Sequence, residues 1–283
     1  MSDYWNLTRP RIVVLVLAVM FVAAWTAAKT DSPLPWGELI HALLGAALVI
    51  AGAIAMNQRL ECRGDAKMPR TAGRPLPAGH LTRRQVTLFG VIVTAVGLAY
   101  LAALTNALLT LLTAVGWLIY VAAYTPLKTR TAWQTPVGAL AGAMPTLLGA
   151  AAVDRPFEPL ALVLFATVYF WQFPHSTAIA WLYRREFAAA GVKVAAVTDP
   201  TGRAAGWLAV AGAVALLPVS LIPGTFSSAN PAYVAIAGVL GLGYLGLAVH
   251  FALRPDADAA RRLLRASLVY LPALLVALLA WRQ

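Results

Sequence analysis

The sequence predicts an all-α, polytopic membrane protein with nine transmembrane helices, the N-terminus cytoplasmic and the C-terminus on the opposite side. Three observations carry this expectation. Of 283 residues, 60% are hydrophobic and only 12% charged, whereas a soluble domain carries about 45–50% apolar and about 25% charged residues. Long uncharged stretches recur along the chain, each near the roughly 20 residues a helix needs to cross a bilayer core. The basic residues then fall almost entirely on one side. An ordinary soluble enzyme and a disordered chain are both excluded.

The uncharged stretches are 12–28, 39–58, 85–127, 131–153, 159–183, 204–253 and 266–281. Two are long enough for a pair of spans. The first divides near Thr105-Asn106 and the second between Pro223-Gly224 and Asn230-Pro231, both turn-rich. Stretch 12–28 is short and ends in small residues, as a signal peptide does, but with eight further spans behind it we read it as retained. The spans occupy most of residues 1–283, so a single transmembrane domain is expected. The lone cysteine, Cys62, excludes a disulfide framework and is read as packing.

Net charge is +11. In a soluble protein that excess would suggest nucleic acid. Here an inside N-terminus puts 19 of the 22 basic residues inside, leaving only Lys29, Arg155 and Arg282 outside, as basic cytoplasmic loops require. No nucleic-acid partner is implied.

The acids are more informative, because they contribute little to topology. Asn57, Glu61 and Asp65 follow the second span at i, i+4, i+8. Steps of four drift by about 40°, so three oxygens line one helix face over roughly 12 Å at a mouth expected to be hydrated. Oxygen ligands without His or Cys suit a hard cation such as Mg²⁺, which takes its remaining ligands from water and substrate phosphates. Lys67, Arg70 and Arg74 follow directly, among Pro69, Pro75 and Pro77, and Arg suits bidentate phosphate contacts. Acids running into bases read as metal-bridged diphosphate binding (region 57–85); the bland alternative is a salt-bridged loop.

Two further sets come to the same side. One is Lys128 and Arg130 after Tyr124-Thr-Pro-Leu. The other is region 171–203, with Trp171-Gln-Phe-Pro-His175 followed by Arg184, Arg185 and Glu186. His175 lies about 13 Å below the end of its span, and an imidazole at that depth is a functional candidate or a packed neutral side chain. His41, His80 and His250 lie near ends or in a loop and carry less weight. Trp117, Tyr120, Tyr124, Tyr169, Trp171 and Phe173 are available to line a greasy cavity and stabilise an allylic cation, or simply to pack helices.

The run Asn57-x₃-Glu61-x₃-Asp65, leading into Met68-x-Arg70-Thr71-x-x-Arg74-Pro75-Leu76, resembles the first signature of the UbiA-type intramembrane prenyltransferases, and more narrowly their protohaem IX farnesyltransferase branch. Tyr124-Thr-Pro-Leu-Lys128, Gly142-Ala-Met-Pro145 and Trp171-Gln-Phe-Pro-His175 agree with that branch. The resemblance implies farnesyl transfer from farnesyl diphosphate to a vinyl group of haem B, giving haem O. It implies Mg²⁺ and diphosphate on Asn57, Glu61 and Asp65, with Glu186 a further metal candidate. Phosphate would be bound by Arg70 and Arg74 with Lys128, supported by Lys67, Arg130 and Arg184, and His175 would sit in the haem or transfer region. A downstream haem A synthase or terminal oxidase assembly would take the product. Glu61 stands where many members have Asp, and no second Asp-x₃-Asp follows the sixth span, where Asp199 comes thirteen residues after Glu186. A bacterial inner membrane is expected, with the chemistry facing the cytoplasm. A transferase acting on an aromatic quinone precursor and a small transporter are the rival readings.

Overall fold

The computed structural model describes residues 2–28, 34–225 and 231–280. Lys29 and Arg282, two of the three far-side basic residues, and most of the expected turn before Pro231 lie outside the described residues. Every regular element among the described residues is helical. In order they are α1 (Ser2–Thr8), α2 (Pro10–Ala27), α3 (Trp36–Asp65), α4 (Pro69–Ala72), α5 (Arg83–Leu104) and α6 (Ala107–Leu118). A π turn (Ile119–Tyr124) leads into α7 (Thr125–Leu127), then α8 (Gln134–Ala151), α9 (Pro159–Leu182), α10 (Arg184–Ala189) and α11 (Ala195–Thr198). The chain ends with α12 (Arg203–Leu221) and a 3₁₀ turn (Ile222–Thr225), then α13 (Pro231–Leu253) and α14 (Ala257–Ala280).

Seven helical segments among the described residues are long and apolar enough to cross a membrane, which makes this a membrane protein. The expected spans at α8 and α9 fall short of that composition, and the reason is physical. Residues Ala143 to Ala151 of α8 are buried without a break, and α9 carries Gln172, Pro174 and His175. A helix enclosed by other helices need not be lipid-like on every face.

Small residues let the backbones approach, as packing without a water-driven hydrophobic effect requires. A Cβ on Gly149 of α8 would lie 2.0 Å from the Met20 carbonyl oxygen of α2. One on Gly52 of α3 would lie 2.8 Å from the Gly90 carbonyl of α5. The α5–α6 corner comes where Thr105-Asn106 predicts it: Asn106 Oδ1 caps the Leu109 amide at 2.7 Å, and its Nδ2 donates to the Ala151 carbonyl at 2.8 Å.

Three local features shape the site. Pro10, at the first position of α2, disfavours a right-handed conformation for the preceding residue, so α1 and α2 cannot run on as one helix. Arg9 takes φ 49°, ψ 63°, a left-handed conformation costing a side-chain-bearing residue about 1 kcal/mol. Helix α3 runs on past residue 58, the end of the uncharged stretch, to Asp65, keeping the three site residues on one continuous helix as their spacing predicts. Pro126 has no amide hydrogen to continue the α pattern. The chain widens into the π turn, and the Thr125 hydroxyl donates to the Tyr120 carbonyl at 2.8 Å.

Candidate active site

A cavity of about 640 Å³ lies where the end of α3, the Arg9 corner, the α4 loop, the π turn, the start of α8 and the middle of α9 meet. The segment from Phe187 to Ala196 also lines it, tied across by the Lys193 amide donating to the Lys128 carbonyl at 2.7 Å.

The end of α3 supplies the acids. Asn57 Nδ2 donates to Thr125 Oγ1 at 3.0 Å, which leaves its carbonyl oxygen for a ligand. Lys128 Nζ lies 2.5 Å from Glu61 Oε1 and 4.4 Å from the Tyr124 ring centre. Burial alone would lower the Lys128 ammonium, but Tyr124, Glu61 and Tyr120 together hold it above its ordinary value, so it stays a cation. Arg74 pairs with Asp65, because Pro69 starts the short α4 and the chain returns over the helix it has just left. Asp65 is only 1% exposed and its Oδ1 has no hydrogen-bond partner among the described residues. The expectation of a hydrated mouth at Asp65 is thereby corrected: the carboxylate is enclosed by its own loop.

Arg9, Arg63, Lys67, Arg70, Arg74 and Lys128 line the cavity against only Glu61 and Asp65. Six cations facing two carboxylates, in surroundings drier than bulk water, call for an anion. Away from the charges, Ile54, Tyr120, Ala139, Ile179 and Leu208 give the wall apolar stretches beside Gln172 and Ser176. Among the described residues no three His, Cys, Asp or Glu side chains form a metal site by themselves. The orphaned Asp65 oxygen beside Glu61 and Asn57 fits a hard divalent cation whose other ligands come from a bound anion.

Gly142 on α8 brings α9 close: Gln172 Nε2 donates to the Ala139 and Val168 carbonyls, each at 3.0 Å. A Cβ on Gly142 would lie 2.1 Å from Gln172 Oε1. Gly142→Ala is expected to swing the carboxamide aside, destabilising the protein by about 1–2 kcal/mol and changing the cavity wall. Thermal melting and initial rates check this; a variant unchanged in both would remove Gln172 from the wall's architecture.

Residues 15–278 match the UbiA prenyltransferase family. The chain belongs to the UbiA prenyltransferase family. It is 38% identical over 279 residues to the protoheme IX farnesyltransferase of Solibacter usitatus, covering 96% of each chain. In fold it is similar to a digeranylgeranylglyceryl phosphate synthase, with TM-score 0.83, 13% identity and 99% and 97% of the two chains covered. It is also similar to a UbiA homologue from Archaeoglobus fulgidus bound to GPP and Mg²⁺, with TM-score 0.62, 17% identity and 98% and 99% covered.

In this UbiA-family cavity the fold gathers Asn57, Glu61, Asp65, Lys67, Arg70, Arg74 and Lys128. Four expected residues do not line it. His175 turns to α14, with Nδ1 2.7 Å from Ser267 Oγ and its ring stacked on Trp171 at 4.6 Å. Gln172, Ser176 and Ile179, spaced by four and three, occupy the cavity face of α9 instead. Arg184 folds onto its own helix end, donating to the Trp181 carbonyl at 2.9 Å, and Arg130 is exposed beyond the α7 end. Glu186 lies 3.4 Å from Arg70 Nε, outside the cavity lining. Of the six aromatics the sequence offered for its walls, Tyr120 and Tyr124 reach the cavity. Trp117 packs in the core between α2, α3, α5, α6 and α8, and Tyr169 and Trp171 in the core around α9 and α12–α14, while Phe173 is buried with its ring edge-on to Tyr169 at 5.2 Å. Sequence reading passed over Arg9, Gln58, Thr125 and Gln172. For Arg9 the available signal was the proline that follows it.

Proposed function

We propose that this chain transfers the farnesyl group of farnesyl diphosphate to a vinyl group of haem B, giving haem O. The observation that carries the reading is a cavity that joins a cation surplus to apolar stretches of wall, which suits a lipid-like diphosphate. Kinship with the Solibacter usitatus enzyme supports farnesyl as donor and haem as acceptor.

Lys128, Arg70, Arg74 and Lys67 would bind the diphosphate oxygens and neutralise the charge that grows as the allylic carbon–oxygen bond breaks and its electron pair leaves with the diphosphate. Asn57, Glu61 and Asp65 would hold Mg²⁺, which supplies Lewis-acid stabilisation of that leaving group. Tyr120 and Tyr124 would flank the cationic carbon and keep water from it until the vinyl carbon attacks; the cation this leaves on the former vinyl group would then take up a water, whose oxygen becomes the hydroxyl of haem O as its proton is released. Arg130, Arg184 and Glu186 would act at the edge, with Glu186 restraining Arg70. His175 would serve the acceptor side, held by Ser267. We read residues 1–283 as one domain of nine spans in a bacterial inner membrane, N-terminus and cavity on the cytoplasmic side, with a haem-processing enzyme or oxidase assembly taking the product.

The test is an assay of the purified protein with haem B, farnesyl diphosphate and Mg²⁺, the pigments being separated and weighed by mass spectrometry. A pigment of the mass of haem O, lost on chelation, is the expected result. Diphosphate release with unchanged haem would redirect the acceptor to an aromatic ring. No release at all would overturn the diphosphate reading.

A further inference from the structure

We propose that Arg9 is a diphosphate-positioning residue and that buried Gln58 holds it there, so that the α1–α2 corner forms one wall of the anion site. The proposal rests on reading the cavity as a diphosphate site and extends it to a segment that basic-inside topology would otherwise explain away.

Three observations converge. Arg9 lines the cavity with its side chain part-buried. The charges that act on it most are Arg74 and Asp65, followed by Tyr120 and Arg70, all members of the site. Arg9 and Asp154 are the two residues other than glycine with positive φ among those described. A left-handed arginine on the wall of a functional cavity is a local cost that the surroundings must hold in place.

The surroundings do hold it. Leu7 is fully buried among Ala55, Leu76, Leu81 and Val86. Its carbonyl accepts a 2.7 Å hydrogen bond from Gln58 Nε2, and Gln58 is itself only 1% exposed. Gln58 follows Asn57 directly on α3, so one helical turn carries both a proposed metal ligand and the clamp on the N-terminal corner. Gln58 is also among the residues lining the cavity, and its Oε1 has no hydrogen-bond partner among the described residues. Arg9 has no ion-pair partner among the described residues, whereas Arg74, Lys128 and Arg70 pair with Asp65, Glu61 and Glu186. Of these four cations it alone reaches an anion without first giving up a carboxylate. Its planar fork suits two oxygens of one phosphate group.

The experiment uses the full-length protein in lipid nanodiscs, with inorganic pyrophosphate and Mg²⁺ as the calorimetric probe. Arg9→Asn is the informative variant, because asparagine tolerates the left-handed conformation while removing the charge. We expect unchanged thermal melting and a loss of pyrophosphate affinity of about 10- to 100-fold, the range for a charged hydrogen-bonding partner. Arg9→Lys should recover part of it. Gln58→Leu cuts the clamp and keeps the cation, so it should weaken binding by a smaller factor, and that factor should vanish in the Arg9→Asn background. With farnesyl diphosphate, Arg9→Asn should raise its KM and leave that of the acceptor unchanged. Wild-type pyrophosphate affinity in Arg9→Asn would overturn the role of Arg9 and leave the diphosphate reading standing. A wild-type protein that binds no pyrophosphate would overturn both.

Discussion

Asp65→Asn should lower the transfer rate by about 10³-fold, or ~4 kcal/mol of transition-state stabilisation, with a smaller loss of stability. Both parts come from the same enclosure. Asp65 is buried, its Oδ2 is paired with Arg74, and its Oδ1 has no hydrogen-bond partner among the described residues. An amide keeps an oxygen for Arg74 but takes away the charge the arginine is paired with. The fold should therefore survive at a cost of about 1–3 kcal/mol. On the proposed role, the free carboxylate oxygen would be the cation's ligand, and that is what the chemistry loses. Initial rates at saturating Mg²⁺, with a melting curve beside them, test the prediction. A rate within threefold of wild type would remove Asp65 from the catalytic constellation.

Gly149→Ala should be the most damaging single-methyl change, at about 3 kcal/mol or more. Most crowded glycines in this bundle face side-chain atoms, which can rotate away. At Gly149 the new Cβ would meet the Met20 carbonyl oxygen at 2.0 Å and the Ala24 amide at 2.9 Å, and a backbone relieves such overlap only by moving a helix. The displaced helix, α2, begins beside Arg9, so the α1–α2 corner should shift with it. Thermal unfolding in nanodiscs measures the loss. A midpoint unchanged from wild type would mean that the α2–α8 interface tolerates more separation than its packing indicates.

Legibility in the sequence followed how local each feature is. Asn57, Glu61 and Asp65 lie at fixed offsets on one helix, so their common face follows from helical geometry alone, and the following bases were readable as their counterpart. The burial of Asp65 was not readable, because it depends on α4 turning Arg74 back onto α3. His175 was recognised as an unusual group but assigned no face; an adjacent residue on a helix points about 100° away, which separates His175 from Ser176. Arg9 was hidden because basic-inside topology accounts for any arginine at that end. Polar character in α8 and α9 marks helices enclosed by protein, a matter of neighbours rather than of composition.

The paired charges of the cavity have a thermodynamic consequence. Glu61 is already neutralised by Lys128, and Asp65 by Arg74, so at these two pairs an arriving ligand exchanges partners, even though Arg9 meets it unpaired. An anion that draws the two cations away leaves two enclosed carboxylates wanting a counter-ion. A divalent cation that takes the carboxylates frees two bases for an anion. Each therefore raises the affinity for the other by the same factor, as reciprocal linkage demands. Half-saturation by either ligand should then come at a lower concentration as that of the other rises.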